Sequence, residues 1–184
     1  MVTEQRHHLA RTAVPEPFPS VDFTDVLEAN ALFAEDFEAP GLTGTAKRGL
    51  AIVTCMDSRI SPLEIVGMQF GDAKILRNAG ARVTEDVLRT LVLATYLLGV
   101  RRILVMPHTD CAMSKNDEAD IHARIAAEHG VDTRSLEFRT TSHPLDALIT
   151  DVIRIRSYPL LPPGVTVAGA FYDVATGALE PVDC

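Results

Sequence analysis

The sequence lacks tryptophan altogether, and only 5% of its 184 residues are aromatic. Proteins that bind single-stranded nucleic acid stack bases on aromatic side chains, so this composition argues against such a platform. Basic residues are also few: 17 Lys and Arg face 25 Asp and Glu, which gives a formal net charge of −8. A chain of this charge has no electrostatic means of attracting nucleic acid or an anionic membrane. We therefore expect neither kind of partner.

Long hydrophobic runs and paired cysteines are missing as well. The most apolar internal run, residues 90–100, has eleven residues and is too short to span a bilayer as a helix. Residues 1–14 are interrupted by charged side chains and histidines, unlike the apolar core of a signal peptide. Three widely spaced cysteines do not make a disulfide framework and fit a reducing compartment, so we expect a cytoplasmic protein. These cysteines are Cys55, Cys111 and Cys184.

The N-terminal part of the chain has its own pattern. Residues 1–20 contain three closely spaced prolines and scattered charges, which predicts an extended arm. Residues 22–37 place apolar side chains at helical spacing with acidic residues between them. We assign residues 1–40 to an arm with a helix, and residues 41–184 to one domain. On the residues alone, this helix either packs on its own domain or lies on a partner subunit.

Beyond the arm, apolar runs alternate with amphipathic segments. Runs that are apolar throughout are typical of strands buried on both faces of a parallel sheet. The alternation predicts an α/β fold, with a mostly parallel central sheet of about four to five strands covered by helices. The predicted strands are 49–54, 73–76, 102–106 and 165–173, and the predicted helices are 62–70, 84–98, 117–129 and 144–156.

Residues with metal-binding and acid–base chemistry follow two of these strands. The first strand leads into Cys55, Asp57 and Arg59, and the third leads into His108 and Cys111. Ligands of open α/β sheets bind beyond the carboxyl ends of the strands. If the first and third strands are neighbours, Cys55, His108 and Cys111 converge on one point. Two thiolates and an imidazole suit zinc, and Asp57 or a water molecule could complete a tetrahedron.

Each residue taken singly has a plainer interpretation. Cys55 could be a small buried hydrophobe, His108 a hydrogen-bonded core histidine, and Asp57 with Arg59 a structural ion pair. Their joint placement at two strand ends favours the metal site. Other catalytic patterns are missing, since the sequence has no Gly-rich phosphate loop, no Cys-x-x-Cys pair and no Gly-x-Ser-x-Gly elbow.

The combined pattern resembles the β-class carbonic anhydrases. In this sequence it reads Cys55-x-Asp57-x-Arg59, followed about fifty residues later by His108-x-x-Cys111. The resemblance implies Zn²⁺ held by Cys55, His108 and Cys111, with Asp57 and Arg59 as a catalytic dyad. It also implies the reversible hydration of CO2 to bicarbonate and a proton. In the mechanism we expect, a zinc-bound hydroxide attacks CO2 while Asp57, held by Arg59, orients it.

The resemblance extends beyond these residues. It is strong over residues 49–115, including Arg77-Asn78-Ala79-Gly80, and it returns near the end at residues 169–177. It implies a mostly parallel sheet and a homodimer or higher homo-oligomer in which N-terminal helices wrap the neighbouring subunit. That implication favours the arm helix lying on a partner subunit.

Two departures and two alternative functions accompany the resemblance. Ala112 follows Cys111 where the family usually has glycine, and a Cβ there is harmless only if the backbone is helical. A substrate-holding glutamine of one branch has no clear counterpart ahead of Cys55. Relatives of this fold also hydrolyse CS2 or COS, which gives one alternative. The other is a zinc-stabilised, non-catalytic binding protein in which Asp57 stays on the metal as the fourth ligand.

Overall fold

The computed structural model describes residues 17–39 and 41–184. Most of the arm predicted over residues 1–20 lies outside the described residues. The chain divides into two units, Met1–Gly41 and Leu42–Cys184. The described part of the first unit contains one helix, α1, and the second unit contains every other element.

The sheet and helices follow the predicted alternation. No helix in the described ranges is both long and apolar enough to cross a membrane. A 3₁₀ turn over Ala79–Ala81 directly follows β2. In chain order the elements are α1 (Thr24–Glu35), β1 (Leu50–Cys55), α2 (Pro62–Ile65), β2 (Ala73–Asn78), α3 (Glu85–Leu97), β3 (Arg102–Met106), α4 (Ala112–Lys115), α5 (Glu118–His129), α6 (Pro144–Arg156), β4 (Thr166–Tyr172) and β5 (Leu179–Val182).

The five strands form one sheet in the order β2-β1-β3-β4-β5. β1 pairs in parallel with both β2 and β3, and β3 pairs in parallel with β4. The last strand, β5, is antiparallel to β4 and lies at the edge. The predicted mostly parallel sheet is confirmed, and so is the condition that the first and third strands are neighbours. The sequence reading missed β5 because its four residues, Leu-Glu-Pro-Val, have no strand periodicity.

Apolar side chains fill both faces of the sheet. β1 is buried along its whole length, as its continuous apolar run predicted. On one face, Val53 and Val105 belong to a cluster with α3 and α6. On the other face, Ile52 and Met106 belong to a cluster that also includes Cys55 and Cys111. The candidate ligands therefore extend directly from the second half of the core.

Two helix boundaries differ from the prediction. α1 is predicted over residues 22–37 but runs from Thr24 to Glu35, with Phe23 as an N-cap that makes no side-chain capping hydrogen bond. The Thr24 hydroxyl donates instead to the carbonyls of Ser20 and Val21. α2 ends at Ile65 rather than at residue 70, and Gly67 follows with a φ of +64° that a helix cannot continue through.

A buried ion pair joins α6 to the segment after the 3₁₀ turn. Arg82 Nε donates to Asp151 Oδ2 over 2.7 Å, and only 5% of the Asp151 side chain is exposed. Arg82 also donates to the carbonyl of Arg139. Removing one member of a buried pair leaves the other charge desolvated and uncompensated.

We expect Asp151→Ala to lower the free energy of unfolding by about 3 kcal/mol for this reason. Glu85→Ala is the matched control. Glu85 of α3 pairs with Arg154 of α6, the helix that carries Asp151, but the Glu85 side chain is 76% exposed. Its loss should lie below about 1 kcal/mol. Urea unfolding at one protein concentration measures both, and equal losses for the two variants would contradict the prediction.

Candidate metal centre

The adjacency of β1 and β3 brings the three predicted ligands together. Cys55 is the last residue of β1, and His108 and Cys111 lie in the loop after β3. The two Sγ atoms are 4.0 Å apart, and the candidate ligand atoms of all three residues lie within 4.8 Å of one another. All three side chains are buried. This is a compact set of two thiols and one imidazole that could hold a metal ion.

His108 is oriented as a metal ligand would be. Its Nδ1 lies 2.8 Å from the carbonyl oxygen of Thr109, which fixes the proton on Nδ1 and leaves a lone pair on Nε2. Nε2 is the only buried side-chain nitrogen or oxygen in the described ranges that has no hydrogen-bond partner. An orphaned buried acceptor is costly unless a cation occupies its lone pair. The chemistry of the donor set therefore fits a metal ion.

The two thiols share their protons unequally. The pKa of the Cys55 thiol is lowered, chiefly because the Cys111 thiol donates to it and also because the Gly80 N–H does. The pKa of the Cys111 thiol is raised, because it donates to Cys55 and because it is buried. The Cys55 thiol is therefore the more acidic of the two, and a divalent cation can displace the protons of both.

The end of β2 and the turn after it make a group of hydrogen bonds near Cys55 through Arg77, Asn78 and Gly80. Arg77 donates to three carbonyls at the end of β1 and in the loop after it, those of Cys55, Asp57 and Ile60. Asn78 brackets the turn by accepting from the N–H of Arg82 and donating to its carbonyl. Gly80 has a φ of +78° and its N–H lies 3.4 Å from Cys55 Sγ. A Cβ on Gly80 would come within 3.1 Å of Met113 Cβ.

Asp57 and Arg59 form a tight pair at the rim of the ligand group. Asp57 Oδ1 accepts from the Arg59 N–H and from Nε, both at 2.9 Å, and Oδ2 accepts from Nη2 at 2.8 Å. These bonds hold the pKa of the Asp57 carboxyl well below its usual range, so it is a carboxylate at neutral pH. Oδ2 also lies 3.8 Å from His108 Nε2. The carboxylate therefore faces the ligand atoms while Arg59 holds both of its oxygens.

Asp110 is a member of this constellation whose role the sequence did not show. It accepts from Arg59 Nη1 at 2.8 Å on its carboxylate, and its backbone carbonyl accepts from Nη2 at 3.2 Å. Lys115 pairs with the other carboxylate oxygen. Asp110 adopts a φ of +60°, a left-handed conformation that aspartate tolerates better than most residues. No sequence periodicity signals that conformation.

Ala112, the departure from the family pattern, lies in a helical turn. Cys111 is the N-cap of α4, and Ala112 is its first residue. Left-handed non-glycine residues in the described ranges are Ala81, Asp110 and Arg139, and Ala112 is not among them. Its Cβ therefore introduces no backbone strain next to the second thiol.

Comparisons with known proteins match this chain to carbonic anhydrases and to a carbon disulfide hydrolase of similar sequence. The family profile described as "Carbonic anhydrase" matches residues 50–131. Beta-carbonic anhydrase 1 of Mycobacterium tuberculosis is 35% identical over 161 residues, which are 86% of this chain and 96% of that protein. Carbon disulfide hydrolase of Saccharolobus solfataricus is 31% identical over 171 residues, which are 79% of this chain and 83% of that protein. The crystal structure of carbonic anhydrase from Streptococcus mutans is 33% identical, covers 91% of this chain and 100% of its own, and superposes with a TM-score of 0.82.

The ligand set predicts which cysteines hold metal. Cys111→Ser should lose the bound metal ion, because a serine hydroxyl is a harder and far less acidic ligand than a thiol. Cys184→Ser should keep it, since Cys184 belongs to none of the ligand groups in the part of the chain that the structure describes. Multi-element mass spectrometry of the purified proteins gives the metal content per chain. Full metal content in Cys111→Ser would contradict the ligand assignment.

Proposed function

The chain belongs to the β-carbonic anhydrase family, and we propose that it is a zinc lyase that converts CO2 and water reversibly into bicarbonate and a proton. One observation carries the proposal: two thiols and the unpartnered Nε2 of His108 form a buried ligand group with the Asp57 carboxylate beside it. Three protein ligands are typical of catalytic zinc sites, which keep a fourth position for water or substrate.

Zinc is the metal that this donor set favours. Thiolate and imidazole ligands suit Zn²⁺, and two thiolates balance its charge in a buried site. When bound, zinc would supply a water molecule of lowered pKa as the nucleophile for the carbon of CO2. Both thiolates must stay reduced to bind it, which fits the proposed cytoplasmic location.

Asp57 orients the reacting water rather than keeping its proton. Its depressed pKa makes it too weak a base to hold a proton at neutral pH. Arg59 donates two hydrogen bonds to Asp57 Oδ1 and one to Asp57 Oδ2. Asp57 Oδ2, which lies 3.8 Å from His108 Nε2, can therefore still accept a hydrogen bond. In the overall reaction a water oxygen bonds to CO2, bicarbonate leaves, and the proton passes to solvent.

Hydrolysis of CS2 or COS on the same residues is the second candidate. The observation that favours it is the 31% identity of this chain to the carbon disulfide hydrolase of Saccharolobus solfataricus. These substrates resemble CO2 in offering a linear, electrophilic carbon to the same nucleophile. The ligand group and the Asp57–Arg59 pair serve either substrate, so the two candidates differ in the substrate and not in the metal centre.

The α1 segment supports a homo-oligomer of two or more copies. Its helix has no buried residue, and apolar side chains along residues 21–37 are 43% to 89% exposed. A monomer rarely exposes so much contiguous apolar surface. We propose that this segment covers a second copy of the chain. The exposed apolar residues are Val21, Phe23, Val26, Leu27, Leu32, Phe33 and Phe37.

The function is tested by comparing Asp57→Ala with a matched control. Asp132→Ala is that control, because Asp132 and Arg134 form the same local ion pair on an exposed loop. We expect wild type and Asp132→Ala to hydrate CO2 equally in stopped-flow assays. Asp57→Ala should keep its zinc and lose activity by about 100-fold or more, because nothing then orients the water.

A parallel assay with CS2 distinguishes the two candidates. CS2 turnover by wild type without CO2 turnover would replace the proposed reaction with hydrolysis. Full zinc content without turnover of CO2, COS or CS2 would favour the zinc-stabilised binding protein. Unchanged CO2 hydration in Asp57→Ala would contradict the role given to the dyad.

The α1 proposal predicts the assembly state. The double substitution Leu27→Asp with Phe33→Asp should lower the solution mass measured by light scattering, because it places charges in the covered surface. Glu28→Gln on the same helix is the control and should leave the mass unchanged. A monomeric wild type, or an unchanged mass in the double variant, would contradict the proposal.

A further inference from the structure

We propose that Asp110 is a positioning residue for CO2 hydration, holding Arg59 so that Arg59 keeps Asp57 turned toward the metal ligands. The inference rests on the proposed function, because Asp57 matters only if it orients the reacting water. Asp110 lies between two ligands in the chain, two residues after His108 and one before Cys111.

A second Asp-x-Arg pair in the same chain shows what the local motif does by itself. Arg134 binds Asp132 through its N–H at 3.0 Å, Nε at 2.9 Å and Nη2 at 2.7 Å, almost the same geometry as at Asp57 and Arg59. The Arg134 side chain is 80% exposed. Spacing alone therefore produces the pair, even on an exposed loop that carries none of the candidate metal ligands. Exposed ion pairs of this kind contribute little to the free energy of folding.

Arg59 differs from Arg134 in having a second carboxylate on its other edge. Arg59 donates from Nε and Nη2 to the Asp57 carboxylate. It also donates from Nη1 to the Asp110 carboxylate and from Nη2 to the Asp110 backbone carbonyl. Arg134 has no second carboxylate partner among the residues that the structure describes. A planar guanidinium bound along two edges cannot swing about its long side chain. This explains how a 43% exposed arginine can hold Asp57 in place.

Asp110, which accepts these hydrogen bonds from Arg59, belongs to the candidate metal-binding loop itself. Its left-handed backbone, with φ of +60°, turns both its carbonyl and its side chain toward Arg59. Lys115, in α4 after the second thiol ligand, pairs with the remaining oxygen of the Asp110 carboxylate. The loop that supplies two metal ligands thus also sets the position of Arg59. Strained backbone of this kind is retained where surrounding contacts determine it.

Asp110→Asn tests the proposal because it keeps the size and the left-handed tolerance of aspartate while removing the charge. We expect kcat/KM for CO2 to fall about 10-fold to 100-fold, with zinc content unchanged. In an Arg59→Gln background the same substitution should change activity less than about twofold, because a residue acting through Arg59 has nothing left to position. Asp132→Asn is the matched control and should leave activity unchanged.

A spectroscopic signal tests the positioning without relying on turnover. The Nε–Hε resonance of Arg59 in ¹⁵N-labelled, zinc-loaded protein should show a lower order parameter in Asp110→Asn than in wild type. Asp132→Asn should change the Arg134 resonance and leave that of Arg59 unchanged. Asp110→Gly, which suits the left-handed backbone, provides a second variant should Asp110→Asn fold poorly.

The outcomes separate this inference from the function it rests on. An unchanged Arg59 signal in both Asp110 variants would overturn it, and so would zinc loss in proportion to lost activity, which indicates a structural role for the loop. Wild-type protein without CO2 hydration would refute the proposed function. In that case the Arg59 signal would still report whether Asp110 holds the arginine.

Discussion

Parallel pairing of β1 with β3 sets Thr54 opposite Met106 at the carboxyl edge of the sheet, just before Cys55 and the His108 loop begin. β1 continues in sequence to β2 on one side, while β3 lies on its other side, so the chain reverses its direction of winding between them. Such switch points leave a crevice beyond the strand ends. The Thr54 hydroxyl reinforces the pairing with a buried 2.7 Å hydrogen bond to the Met106 carbonyl. A different strand order would place the two thiols at separate positions along the edge.

Hydrogen-bond donors on β2 and on the turn after it hold the loop that follows β1 at this edge. Arg77 of β2 binds the carbonyls around Cys55, and the Gly80 N–H faces its sulfur. Donors directed at a thiolate lower the pKa of its thiol. Asp57 and Asp110 hold Arg59 between them, so the positive charge beside the site is itself fixed. A centre with two thiolates and a divalent ion is close to neutral, which is what a buried position requires.

Sequence reasoning reached the parts of the molecule that local patterns encode. β1 is recognisable because its residues are apolar except for Thr54, and the convergence of Cys55, His108 and Cys111 follows from assuming that β1 and β3 are neighbours. The contribution of Asp110 depends on a left-handed backbone that no periodicity reveals. The Arg82–Asp151 pair joins residues 69 positions apart, and only the tertiary fold brings them together. β5 and α4 are each four residues long, too short for a pattern to register.

Left-handed, non-glycine backbone is concentrated around the ligand group. Ala81 and Arg139 line a cavity of about 30 Å³ that His108 and Cys111 also line, and Asp110 lies in the ligand loop itself. Each is restrained by another part of the chain: Asn78 brackets the turn that holds Ala81, Glu118 accepts from the Arg139 N–H, and Arg59 binds Asp110. Such conformations are retained where the surroundings enforce them. Because contacts from several elements enforce these conformations, the fold itself limits how far the ligand residues can move apart.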